Sequence, residues 1–202
     1  VGLVEGCDSV VGFGGGSALD SAKAIAVLAK HGGPLSRFKV PAIAPTGLPV
    51  VAIPTTAGTG SEVTRVAIVT DSSTDEKMLI MGAGLLPEVA LVDYELTLSK
   101  PYRLTADSGL DALCHALEAY VSRKANPFTD TLALAAARSV VQHLRTACRE
   151  PGNRTAREGL MLAATQAGIA FSNASVTLIH GMSRPIGARF HVPHGMSNAI
   201  LL

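Results

Sequence analysis

Asp111 and His115 stand four residues apart in LDALCHALEAYVS, and His180 and His194 bracket the stretch HGMSRPIGARFHVPHG. In a helix, residues i and i+4 share a face, so a carboxylate and an imidazole at that spacing can converge on one point and hold a divalent metal. The same pair alone would equally describe an ordinary structural hydrogen bond between a carboxylate and a helical imidazole. The two further histidines favour the metal. Each is followed by a glycine, which leaves little bulk around an approaching ligand, and one Asp with three His is an O/N donor set suited to Fe(II) or Zn(II).

A second signal lies near the N-terminus. Ser9–Phe13 reads as a short buried strand, and Gly14, Gly15 and Gly16 turn it into a helix from about Ser17 through Leu28, with Ser17 and Asp20 at the spacing of a capping box. Glycines there let backbone N–H groups approach an anion, and the helix N-terminus adds partial positive charge, a setting that suits a pyrophosphate. Glycine also serves tight turns, and the run matches neither GxGxxG nor the lysine-bearing P-loop. The segment 54–62, PTTAGTGSE, supplies hydroxyls and pliable backbone that could grip phosphate or ribose, or simply make a surface turn.

Two kinds of element must position these groups. Residues Val50–Ile53, Arg65–Val69, Met78–Met81 and Val89–Val92 form β-rich runs separated by Pro, Gly, Asp and Ser. Beyond about Leu104 the strand pattern stops and Ala- and Leu-rich helical spacing takes over. Phe128–Arg149 contains no Gly or Pro, and Thr155-x-x-Glu158 offers a capping box for a helix running towards Phe171. The expected organisation is therefore α/β over residues 1–103 and all-helical over residues 104–202, with Pro101 in the connector.

Composition narrows the partners. Of the 202 residues, 48% are hydrophobic, ample for a core, and the net charge of +1 comes from scattered Lys and Arg, so neither nucleic acid nor a membrane surface is expected as a partner. A small molecule is. Cys7, Cys114 and Cys148 are widely spaced and odd in number, which argues against a disulfide framework and for a reducing compartment. Cys114, next to the proposed ligand face, reads as a small buried hydrophobe. No apolar run approaches the ~18 residues that span a bilayer, and no signal peptide is visible, so a soluble cytoplasmic protein is expected.

In order, DSVVGFGGGSALDSAKAIA, PTTAGTGSEVT, DSGLDALCHALEAYVS and HGMSRPIGARFHVPHGMSNAILL resemble the successive signatures of the iron-containing (group III) alcohol dehydrogenases. The resemblance implies a dehydroquinate synthase-like fold, with a nucleotide-binding α/β domain, a helical metal-binding domain and the site in the cleft between them. Matched by position, Asp111, His115, His180 and His194 become the metal ligands and so the catalytic centre. Gly15, Gly16 and Ser17 become phosphate contacts, with Asp20 and Lys23 in the same pattern. Thr55, Thr56 and Ser61 fall along the nicotinamide cofactor and Lys77 near its ribose, although a lone lysine there reads equally as solvated. The cofactor is NAD or NADP, since the acidic residue that selects between them belongs to a unit upstream of this chain.

By the same comparison the chain looks like an interior piece, lacking a first βαβ segment and a helical region after Leu202. The implied activity is interconversion of an alcohol and an aldehyde by hydride transfer, in a protein that is a homodimer at full length. A dehydroquinate synthase-like lyase, and a non-catalytic fragment that only binds metal or nucleotide, are the competing readings. Among the remaining residues, His31 and His143 read as surface or helix-end groups, and His191 could line the cleft without being a ligand. Glu118 continues the Asp111/His115 face, either to orient a ligand or to make a helix-surface salt bridge. Arg184 departs from the family, which often has a second histidine there. Arginine cannot relay protons near neutral pH, but it can hold a carboxylate or phosphate.

Overall fold

Strand β1 (Val10–Gly14) runs into helix α1 (Gly16–His31), and the chain returns as β2 (Val50–Pro54), parallel to β1 and paired from Val10↔Val50 to Gly14↔Pro54. This is one parallel βαβ crossover. The computed structural model describes residues 4–74 and 76–202. A hairpin of β3 (Val66–Asp71) and β4 (Glu76–Met81) follows in antiparallel register, and the short β5 (Val89–Ala90) pairs with the far side of β2, giving the sheet order β1-β2-β5.

Five helices complete the described chain: α2 (Tyr102–Val121), α3 (Pro127–Arg149), α4 (Arg154–Asn173), α5 (Leu178–Phe190) and α6 (His194–Leu201). Among the described residues no single helix is long and apolar enough to cross a membrane.

The chain divides into two compact units, Val1–Pro54 with Ser61–Leu91, and Thr55–Gly60 with Val92–Leu202. In the first, α1 covers the sheet through Ala22 and Ala26, which pack with Val50, while Val27, Phe38, Met78, Ile80 and Leu85 form a second cluster. In the second, the core is built largely of alanine: Ala112, Ala116, Ala136, Ala163, Ala164 and Ala167 pack with Val140, Leu160 and Met161. Small side chains let helices approach closely, so the functional groups on α2 are held by a rigid bundle.

The threonine- and glycine-rich segment is partitioned by this division. Thr55–Gly60 goes with the helices and Ser61 with the sheet. Gly60 has φ +62°, and a Cβ on it would lie 2.5 Å from the Gly168 backbone, so this loop can run against α4 only with glycine at that point.

Helix starts differ from the sequence expectation. Gly15, not Ser17, is the N-cap of α1, and no side chain caps it. The Asp20 carboxylate accepts instead from Ser61 Oγ (2.6 Å) and the Ile68 amide (2.8 Å), tertiary donors that outcompete the local box. Asn153, not Thr155, caps α4 by accepting from the Ala156 amide. The complete capping box belongs to α3, where Asn126 accepts from the Phe128 and Thr129 amides and Thr129 Oγ1 accepts from the Asn126 amide, with Pro127 at the first helical position.

Candidate functional site

The i, i+4 spacing brings Asp111 and His115 to one face of α2, and both are buried. His180, near the N-terminus of α5, reaches the same point, and His194 opens α6 beside it. Around Asp111 Oδ1, the Nε2 atoms of His180, His194 and His115 lie at 3.5, 3.6 and 3.9 Å. Ligand atoms of Asp111, His115 and His180 all fall within 4.8 Å of one another. Separations of 3.5–3.9 Å from Asp111 Oδ1 are those of ligand atoms that share one cation bound about 2 Å from each, the distance at which Fe(II) or Zn(II) takes imidazole and carboxylate ligands.

Protons sit on the outer side of this cluster. His180 Nδ1 donates to Glu118 Oε2 in a very short hydrogen bond, and His115 Nδ1 donates to the Gly58 carbonyl at 3.3 Å. With the rings neutral, each bond selects the tautomer whose unprotonated Nε2 faces Asp111. Glu118 is itself held, because Oε1 accepts from the Thr177 amide (2.8 Å), Thr177 Oγ1 (3.0 Å) and the Ile179 amide (2.8 Å) at the start of α5. Of the two roles open to Glu118, the buried orienting contact is the one observed. Phe171 stacks on the His115 ring at 4.3 Å, and His115 stacks on His180 at 4.5 Å.

What converges is thus a carboxylate oxygen and three imidazole nitrogens, those of His115 and His180 being acceptors when their rings are neutral. Asn198 Nδ2 sits among them, donating to Asp111 Oδ1 (2.6 Å) and lying 3.1 Å from His180 Nε2 and 3.2 Å from His194 Nε2. A carboxylate and three imidazoles gathered about one point are a donor set that fits a divalent cation. Burial raises the Asp111 carboxyl, but the neighbouring imidazoles, His115 foremost, more than reverse this and hold it below the carboxylate range. Burial drives His115 down to about 4, so it is neutral and able to ligate at pH 7. For His180 burial is outweighed by Asp111 and Glu118, and its pKa is raised.

The glycine turn is built differently. Gly14 has φ +148°, and a Cβ on it would lie 2.7 Å from Ala18 Cβ, so β1 can enter α1 at this angle only without a side chain there. Gly15 and Gly16 are half-buried, Ser17 is exposed, and the first-turn amides of α1 carry no side-chain cap, which leaves the positive end of the helix facing the glycines. Asp20 and Lys23 lie one turn below as an internal brace. Lys23 Nζ donates to the Thr64 carbonyl (3.0 Å), Thr64 Oγ1 (3.1 Å) and the Val66 carbonyl (2.8 Å), and lies 3.8 Å from Asp20. Through Asp20 and Lys23, α1 fixes Ser61 and the start of β3.

The other expected residues fall elsewhere. Thr55 is buried and Thr56 half-buried in the loop that joins the helical unit, and Lys77 is exposed on β4 opposite Thr70. His191 is an exposed, left-handed C-cap of α5. His31 is exposed and bonds the Thr46 carbonyl at 3.0 Å. Cys114 is fully buried, and burial pushes its thiol up to about 12, so it behaves as an inert hydrophobe. Two members of the cluster were not singled out from sequence, Asn198 and Phe171. Asn198 stands at i+4 from His194, the same spacing that drew attention to Asp111 and His115.

Comparison with known proteins agrees with this architecture. The family model described as iron-containing alcohol dehydrogenase matches residues 4–94, and that of the Fe-containing alcohol dehydrogenase family C-terminal region matches residues 105–202. The chain belongs to the iron-containing alcohol dehydrogenase family.

The probable alcohol dehydrogenase EutG of Escherichia coli is 44% identical over 199 residues, covering 98% of this chain and 50% of that protein. The NAD-dependent methanol dehydrogenase of Bacillus methanolicus is 42% identical over 197 residues, covering 97% and 52%. The crystal structure of sulfoacetaldehyde reductase from Bifidobacterium kashiwanohense in complex with NAD+ superposes with a TM-score of 0.93 at 38% identity, covering 98% of this chain and 54% of that one. The chain spans about half the length of the curated relatives it matches.

Proposed function

We propose that this chain carries the metal-holding and part of the dinucleotide-holding machinery of an NAD(P)-dependent alcohol dehydrogenase that interconverts an alcohol and an aldehyde. The observation that carries the reading is the convergence of Asp111 Oδ1 with three imidazole Nε2 atoms, two of them held in the ligating tautomer by Glu118 and Gly58. Asp111, His115, His180 and His194 would hold Fe(II), and the same donors accept Zn(II). Bound there, a divalent cation supplies Lewis acidity towards an alcohol or carbonyl oxygen. The nicotinamide supplies the hydride acceptor or donor.

The remaining work falls to the chain's own residues. Asp111 contributes the negative charge that retains a cation, and the bonds to Glu118 and Gly58 keep His180 and His115 aimed at it. Phe171 covers one face of His115 and excludes water from that side. At the other unit, the amides of Gly15, Gly16 and Ser17 bind pyrophosphate, with Asp20 and Lys23 bracing the helix that carries them and Ser61 held in place by Asp20. Thr55, Thr56 and Lys77 are assigned to the same cofactor on family grounds. Residues 1–103 are accordingly read as the dinucleotide-binding part and 104–202 as the metal-binding part. The whole protein is read as a cytoplasmic homodimer.

The test is metal analysis of anaerobically purified whole protein together with nicotinamide absorbance at about 340 nm across a panel of alcohols and aldehydes. About one divalent metal per chain and a metal-dependent absorbance change are expected. Protein that retains no metal and changes no nicotinamide absorbance with any of them contradicts the reading.

A further inference from the structure

Arg184 stands four residues after His180 on α5, so the two share a face about 6 Å apart along the axis. Glu118, which bonds His180, also acts electrostatically on Arg184, so the guanidinium lies near the residues that orient His180. Arg184 is half-buried, and its Nε is a buried donor with no hydrogen-bond partner among the described residues. Arg184 also makes no ion pair among the described residues.

The carboxylates nearest in function are already committed. Glu118, whose charge acts on Arg184, spends Oε1 on Thr177 and Ile179 and Oε2 on His180, and Asp111 Oδ1 faces the imidazoles and Asn198. A permanently charged, planar fork of donors is therefore held, partly desolvated, beside the cluster without an anion of its own.

We propose that Arg184 binds an oxyanion carried by the substrate, a carboxylate, sulfonate or phosphate a few carbons from the reacting hydroxyl or carbonyl group. This rests on the dehydrogenase reading above and narrows it to acidic alcohols and aldehydes. Bidentate pairing of guanidinium with an oxyanion fixes orientation as well as affinity, and it is strongest where water is partly excluded. The cofactor's pyrophosphate is already assigned to the Gly15–Ser17 amides, and the Arg184 anion is therefore assigned to the substrate.

The probes are 4-hydroxybutyrate and 1-butanol, titrated into the metal-loaded and metal-free whole protein by ligand-observed NMR, a readout that needs no turnover. Wild type is expected to bind 4-hydroxybutyrate at least ~10-fold more tightly than 1-butanol. Arg184→Met should remove most of that preference while leaving 1-butanol within about 2-fold, and Arg184→Lys, which keeps the charge, should retain part of it.

The inference is overturned if wild type shows no preference, if Arg184→Met weakens both ligands equally, or if the loss appears in NAD+ affinity with the ligand ratio unchanged. The last result would assign the guanidinium to a cofactor phosphate. Loss of the preference in Arg184→Met, in a protein that changes no nicotinamide absorbance with any alcohol, keeps the anion site and removes the dehydrogenase reading, so the two failures are distinguishable.

Discussion

The proposed metal site on α2, α5 and α6 and the proposed phosphate turn between β1 and α1 would take ligands of opposite charge, and they are built by opposite means. In the cluster, everything useful is a side chain: a carboxylate and three imidazoles, with Glu118 and Asn198 bonded to them and Phe171 stacked on His115. At the turn, everything useful is backbone, and the nearby side chains Asp20 and Lys23 are turned inwards to hold the helix in place. A site made of side chains fails when one atom is removed. A site made of backbone fails when one atom is added.

That contrast sets the order of the expected effects. Asp111→Ala removes the only carboxylate among the four converging groups, and titration of the whole protein against a competing chelator should show metal affinity falling by more than the roughly 10- to 100-fold typical of lost outer partners. Retention of metal would break the comparison at its strongest point. Glu118→Gln should itself cost roughly 10- to 100-fold in metal affinity, because an amide N–H facing Nδ1 forces the proton of His180 onto Nε2, where it points at the cluster. An unchanged affinity would remove Glu118 from the site.

In the other unit, Lys23→Met leaves the Thr64 and Val66 carbonyls without their donor and should cost about 3 kcal/mol in denaturant unfolding. Its pH dependence has a definite sign. Burial lowers the Lys23 pKa from 10.5 to about 8, so across that window the unfolded chain holds the extra proton and the stability attributable to Lys23 rises with pH. Comparing wild type with Lys23→Met at the two ends of the window reads this directly, and a difference that falls with pH contradicts the buried ammonium.

Gly14→Ala should cost about 1–3 kcal/mol through its clash with Ala18 and its strained φ, and it should weaken dinucleotide binding. Ser17→Ala, by contrast, should change stability by less than ~0.5 kcal/mol. If Ser17→Ala weakens dinucleotide binding more than Gly14→Ala does, the turn works through a side chain and the contrast fails.

How much was legible follows from which interactions are local. Asp111 and His115 announce themselves through helical spacing alone, because α2 runs unbroken through both. His180 and His194 sit on separate short helices, joined by a left-handed turn at His191, and no periodicity says that they fold back onto α2. The family signatures supplied them. Helix caps depart from the sequence pattern wherever a distant or neighbouring group makes a better bond: Asp20 is claimed by Ser61 and Ile68, and Asn153 precedes the Thr155 that has the expected spacing. The Asn126/Thr129 box is hard to read from sequence because it has Thr where Glu or Gln is the usual partner. Asn198 needed only the i+4 rule applied once more, from His194. The inward roles of Asp20 and Lys23 could not be read locally, since their partners lie 41 or more residues away.

The central claim is met most directly by anomalous diffraction from crystals of the whole protein loaded anaerobically with Fe(II), or with Zn(II). A single peak about 2.0–2.2 Å from Asp111 Oδ1 and from Nε2 of His115, His180 and His194 is the predicted result. A peak elsewhere, or none at these four atoms under saturating metal, would contradict it.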